Sequence, residues 1–189
     1  MNRIEIKQQA RQQLSAHYGS TMFFVYIPAI LIGLASTTVI GGIFAAPLAI
    51  GSVIGLLHIY NGRKPQQQDL MKGYDSTVLI RNILQLVLVT LFVFLWSLLL
   101  VIPGIIKAYS YAMVPYLLAD PDVKQEDVIT LSRQMMDGKK MDLFVLQLSF
   151  IGLAILGVFT LNILNVLYTI PYIQLSTAGF YHQLKMTSN

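Results

Sequence analysis

Charges punctuate this chain at long intervals, and the stretches between them are apolar. No Asp, Glu, Lys or Arg occurs in the 51 residues between Arg11 and Arg63 or in the 42 between Asp142 and Lys185, and the 38 between Arg81 and Asp120 are broken only by Lys107. A helix rises 1.5 Å per residue and a bilayer's hydrocarbon layer is roughly 30 Å thick, so about 20 apolar residues cross it. Each block is about twice that length. Each therefore predicts a helical hairpin that crosses and returns, with its charged ends on one side and a short uncharged turn on the other.

The hairpins fall at 21–60, 82–119 and 143–184. Their six segments run Thr21 to Ile40, Ile43 to Tyr60, Asn82 to Ile102, Gly104 to Ala119, Leu143 to Thr160 and Ile163 to Leu184, with turns at Gly41-Gly42, Pro103-Gly104 and near Asn162. Proline lacks a backbone donor and glycine opens unusual dihedrals, which suits a reversal between helices. A single long helix kinked at Pro103 is the alternative.

Two polar stretches flank the hairpins. Residues 1–18 form a helix with Ile4, Ile6, Leu14 and Tyr18 in one sector beside Arg3, Lys7 and Arg11. That is the pattern of an interfacial amphipathic helix whose cations snorkel to head groups; a helix packed on the cytoplasmic loops fits the same residues. Residues 120–142 form an amphipathic cytoplasmic helix: Asp122 can cap it with Gln125 at the capping-box position, Val128, Leu131 and Met135 share a face, and Gly138 with Lys139 and Lys140 ends it. The loop from Asn61 to Ser76 connects, with one short helix near Asp69 to Lys72.

Composition agrees with the pattern. Of 189 residues 55% are hydrophobic and 12% charged, against about 25% charged in soluble domains. The fold class expected is all-α: a polytopic membrane bundle of six transmembrane helices in one domain, 1–189. Twelve of the thirteen lysines and arginines, all but Lys107, lie at the charged ends with all nine acids. By the positive-inside rule those ends and both termini are cytoplasmic. The basic start before Thr21 reads as the flank of an uncleaved first span. The net charge of +4 is spread along segment ends, which favours anionic lipid over nucleic acid.

The chemistry-bearing residues are few. Without cysteine there is no disulfide, thiolate site or thiol nucleophile. His17, His58 and His182 lack the spacing of a metal motif, and Ser97, Ser110, Ser149 and Ser176 lack a nucleophile context. The blocks hold no carboxylate of the kind that coupled transporters use. No catalytic, cofactor-binding or metal residue is expected. Lys107 stands out, either snorkelling outward or contacting an anion or lipid phosphate together with Tyr109 and Tyr111. Gly51, Gly55, Pro103 and Gly104 are expected at close packing surfaces, as is the spacing Gly33 to Thr37. A faint echo links Pro47, Gly55 and His58 to Pro171, Gly179 and His182 at equal spacings.

The runs IPGIIKAYSYAMVPYLLADPD, ITLSRQMMDGKKMDLFVLQLSFIG and IPYIQLSTAGFY resemble the integral-membrane family known as domain of unknown function 975, over nearly the whole chain and most specifically in Ile102 to Asp120 and Leu131 to Phe144. The resemblance implies a multi-pass plasma-membrane protein of Gram-positive-type bacteria; it supplies no activity, cofactor or catalytic residue. A remoter similarity is to the membrane domain joined to some glycerophosphodiester phosphodiesterases, without their catalytic part. The expected function is a non-enzymatic accessory or lipid-interacting component of the envelope, with membrane lipids and a second copy or a membrane protein as partners. The alternatives are an oligomeric permease for a small molecule or peptide, then a lipid-modifying enzyme. A polar cavity lined by Lys107 and its tyrosines would favour the permease. A solid core with an apolar groove open to lipid would favour the first reading.

Overall fold

The computed structural model describes residues 2–36, 38–99, 101–123 and 127–188, and among these every regular element is helical. In order they are α1 (Arg3–Ala16), α2 (Tyr18–Ala35), α3 (Val39–Ala45), α4 (Pro47–Tyr60), a 3-10 segment (Gln67–Tyr74), α5 (Leu79–Leu99), α6 (Val101–Ser110), α7 (Val114–Ala119), α8 (Val128–Met135), α9 (Lys140–Leu148), α10 (Ile151–Phe159), a π-helical turn (Asn165–Thr169) and α11 (Ile170–Ser188). Thr37, Lys124 and Gln125 lie outside the described residues.

Four stretches are long and apolar enough to cross a membrane: Tyr18–Ala35, Gly41–Tyr60, Leu79–Ser97 and Lys140–Phe159. The other two expected segments are interrupted. Between α6 and α7 the chain loses regular helix at Tyr111 to Met113, because Pro115 at the start of α7 has no N–H to donate backward and its ring excludes the preceding turn. Ile163 to Leu184 opens on the π-helical turn. Hydroxyls from elsewhere satisfy carbonyls at both irregularities. Ser132 of α8 donates to the Ser110 carbonyl at 2.9 Å, Tyr18 donates to the Leu167 carbonyl at 2.8 Å, and Tyr26 donates to that of Val166. A broken helix in an apolar setting persists only where its freed carbonyls find such donors.

Two turns differ from expectation. Gly41-Gly42 is no reversal: the Thr38 side chain accepts from the Gly41 amide at 3.1 Å and caps α3, so both glycines lie inside that helix. Pro103 and Gly104 lie within the first turns of α6, so the two do not form the turn themselves. The hairpin itself is antiparallel, with Gly104 against Ser97, Lys107 against Trp96 and Tyr111 against Phe92. The third turn does fall at Leu161 and Asn162, both with positive φ.

The return arms α4, α7 and α11 form the centre of the bundle. α4 packs on both others, and Tyr116 of α7 stacks on Tyr181 of α11 with ring centroids 5.4 Å apart. Phe24, Tyr60, Phe150 and Phe180 are fully buried around them. α1 packs along α11 through Ile6, Ala10 and Leu14, all buried, while Ile4 is exposed. Burying one such Ile or Leu contributes roughly 1.5–3 kcal/mol. Lys7 points inward: its Nζ donates to Ser149 Oγ at 3.1 Å and lies 4.4 Å from the centroid of Phe150.

The 3-10 segment runs back along α4 instead of leaving the bundle. A β-carbon at Gly51 would overlap the Leu70 backbone, and one at Gly73 would overlap the Pro47 carbonyl. By contrast, large apolar side chains are exposed on α2 (Ile30, Leu34), α5 (Leu91, Phe94), α6 (Ile102) and α10 (Ile155, Phe159). A contiguous surface of that kind marks contact with lipid or a partner.

Candidate functional site

Polar side chains gather in two places. The first is the meeting point of the carboxyl ends of α4, α7 and α11, where a cleft of about 230 Å³ is lined by His58, Arg63, Asp120, Tyr181, His182 and Lys185, among others. Asp120 accepts from Tyr181 Oη at 2.7 Å and from Lys185 Nζ at 2.6 Å, and Lys185 also reaches Asp122 at 2.8 Å. Burial opposes ionisation of Asp120, but Lys185, then Tyr181 and the Asp122 amide outweigh it and hold the carboxyl below its usual range.

Beside this cleft, buried Asp69 is similarly engaged. It accepts from the Gln66 amide at 2.9 Å, pairs with Lys72 at 2.5 Å and contacts His58 Nδ1 at 3.1 Å. Burial again opposes its charge, and Lys72, Gln66 and His58 together still lower its pKa. Asp122, drawn to Lys185, does not cap the following helix. Asp127 does, accepting from the Thr130 amide at 3.0 Å, and the inward face of α8 is Val128, Ile129 and Ser132, continued by Met136, rather than Val128, Leu131 and Met135.

The second place is around Lys107. The sequence pattern sets Lys107 apart from the other cations, one turn beyond a far-side reversal. In the fold it is half-buried on α6 and shares a cleft of about 380 Å³ with Arg133 of α8 and Lys140 of α9, because α9 packs on α6 while α8 packs on α7 and α5 and meets the end of α6 through Ser132. Its Nζ lies 4.7 Å from the centroid of the Trp96 ring, within cation–π range. An adjoining cleft of about 610 Å³ also contains Lys107 and Arg133 and adds Leu88, Phe92, Trp96 and Tyr111.

Of the tyrosines expected near Lys107, Tyr111 therefore lines the same cleft, whereas Tyr109 turns away. Its hydroxyl donates to Gln147 Oε1 at 2.7 Å and its ring meets Phe144 edge-on. In the sequence Lys140 stood only as part of a helix end and Arg133 only as one of the charged-side cations; the packing of α8 and α9 brings them to Lys107.

Gly51, Gly55 and Gly104 mark close approaches within the chain, whereas a β-carbon at Gly33, expected on a packing surface, would meet nothing within 4 Å. Gly55 receives the Phe24 ring, Gly179 the Tyr60 ring and Gly104 the backbone and hydroxyl of Ser97. The echo of Pro47, Gly55 and His58 in Pro171, Gly179 and His182 has a spatial counterpart. Each proline opens its helix, each glycine takes an aromatic ring, and both histidines line the same cleft.

These features define an all-helical protein with four stretches suited to a bilayer. Residues 98–188 match the model of a family described as protein of unknown function (DUF975). The match takes in Ile102 to Asp120 and Leu131 to Phe144 and leaves residues 1–97 outside, a narrower extent than the near-complete resemblance read from the sequence. No curated protein and no solved structure matches the chain.

Proposed function

We propose that this chain is a multi-pass component of a bacterial plasma membrane that works by holding lipid, as an accessory part of the envelope, and catalyses no reaction of its own. Its three hairpins have their charged ends and both termini on the cytoplasmic side, and the return arm of the second, broken at Tyr111 to Met113, brings Lys107 beside Arg133 and Lys140. The gathering of the carboxyl ends of α4, α7 and α11 in one polar cleft supports a common side for the hairpin ends.

The observation that carries the lipid reading is an apolar groove beside a filled core. Large aromatic side chains occupy the centre of the bundle. The groove, about 770 Å³, opens at the surface between α3 and α5 and is lined by Ile43, Ala46, Leu86, Val87, Leu91 and Phe94, among others. Leu91 and Phe94 are exposed beside it, so an acyl chain entering from the bilayer would exchange lipid contacts for protein contacts at little desolvation cost.

Native mass spectrometry of protein released gently from its membrane tests the reading, with wild type beside Leu91→Trp, which fills the groove from an exposed position. Retained lipid that falls several-fold in the variant, at unchanged helicity by circular dichroism, is the expected result. Wild-type protein that carries no lipid, or a variant that keeps all of it, overturns the reading.

A further inference from the structure

We infer that the joined clefts around Lys107 form a second site, one that takes a single-chain or two-chain amphiphile with an anionic phosphate-type head group. The inference rests on the lipid-holding reading but concerns a different face of α5 from the acyl groove, which uses Val87, Leu91 and Phe94 where this site uses Leu88, Phe92 and Trp96.

The charge arrangement calls for an anion. Lys107, Arg133 and Lys140 come from three different helices to one cleft, and the one carboxylate among its described lining residues is Asp137. Among the described residues, the ion pairs within 4.0 Å involve His58, Lys72 and Lys185 and none of these three cations. In the adjoining cleft Asp127 is engaged chiefly by Thr130, whose amide and hydroxyl donate to it at 3.0 and 2.5 Å, and Arg133 adds a longer-range attraction to it. Lys107 and Lys140 are half-buried and Arg133 is exposed; like charges lining one cleft repel, and a phosphate among them turns that repulsion into charge-assisted hydrogen bonds. Arg133 offers a planar fork and the two lysines offer point charges, a set suited to several oxygens of one head group.

The rest of the ligand follows from the second lobe. Leu88, Phe92 and Trp96 continue from Lys107 along α5, with Trp96 half-open to the surroundings. An inorganic phosphate would fill the polar lobe and leave this apolar wall bare; an acyl or alkyl chain covers it. Head group and chain thus enter side by side, divided at the Lys107–Trp96 contact.

Trp96 is the only tryptophan in the chain, so its emission reports this site directly. The experiment is a fluorescence titration of the purified full chain in maltoside micelles with octyl phosphate, octylphosphocholine and inorganic phosphate, for wild type, Arg133→Gln, Lys140→Gln and the control Lys64→Gln. The expected result is a saturable change with octyl phosphate, at least tenfold weaker with octylphosphocholine and with inorganic phosphate. Arg133→Gln and Lys140→Gln each weaken octyl phosphate about tenfold or more, and Lys64→Gln leaves it unchanged.

Inorganic phosphate binding as tightly as octyl phosphate overturns the amphiphile and leaves a free-anion site. No saturable response in wild type, or unchanged affinity in the two site variants, overturns the site altogether. Circular dichroism of each variant separates lost binding from lost folding. Because Leu91 and the groove play no part in this titration, its failure is independent of the outcome for lipid retention.

Discussion

The hydroxyl of Ser132 donates to the main-chain carbonyl of Ser110 across 22 positions of sequence, at 2.9 Å. Ser132 is fully buried and Ser110 nearly so. This bond ties α8 to the point where α6 gives way to α7, and it sets Arg133, the next residue, beside Lys107. Ser132→Ala should leave a buried carbonyl without its donor, at a cost of about 1–3 kcal/mol. Thermal unfolding in detergent should show a clearly lower midpoint; an unchanged midpoint would mean that α8 is not anchored there.

Gly55 and Phe24 are fitted to one another, since a β-carbon at position 55 would run into the buried Phe24 ring. Gly55→Ala should therefore destabilise the bundle by about 1–3 kcal/mol through overpacking. Phe24→Leu added to Gly55→Ala should recover part of that loss, because the smaller side chain vacates the notch. Additive losses in the double variant, measured by the same unfolding assay, would show that the two sites do not touch.

Gly152 provides the opposite case. It lies inside α10, and a β-carbon there would meet nothing within 4 Å, whereas one at Gly104 would overlap Ser97. Alanine is favoured over glycine in a helix by roughly 0.5–1 kcal/mol. Gly152→Ala should thus be neutral or slightly stabilising and Gly104→Ala destabilising. A reversed order in unfolding midpoints would contradict the α5–α6 packing.

Acid should loosen the cluster at the carboxyl ends of α4, α7 and α11. Asp120 and Asp69 both have carboxyl pKa values held below the ordinary range against the effect of burial. A carboxylate whose pKa is lowered by folding adds stability in full above its unfolded value, about 3.9, and loses it as pH falls through the lowered folded value. Stability should therefore be flat near neutrality and decline below about pH 4. Asp120→Asn should be less stable at pH 7, with a shallower decline in acid; an acid profile identical to wild type would remove Asp120 from the cause.

Much of the architecture is legible in the order of residues because the underlying physics is local. Uncharged blocks long enough for two helices predict hairpins, since no charge interrupts them and a helix satisfies its own backbone. Asn162 marked a turn, as a residue able to adopt positive φ. Other turns were misplaced for a local reason too: glycine permits a reversal but does not require one, and a threonine cap at Thr38 placed Gly41 and Gly42 inside α3. Pro103 stands in the first turns of a helix, where its missing donor costs nothing.

The sequence by itself determined the helical class, the apolar hairpins and the singularity of Lys107, because periodicity, length and charge spacing are properties of neighbouring residues. Only the tertiary structure decided that α8 meets the end of α6 through Ser132, that Arg133 and Lys140 join Lys107 while Tyr109 turns to Gln147, and that Asp122 pairs with Lys185 instead of capping a helix. Those outcomes depend on which carbonyls, hydroxyls and charges find partners across 22, 38 and 63 positions of sequence. Partner choice of that kind is settled by competition among packed surfaces, and no local pattern encodes it.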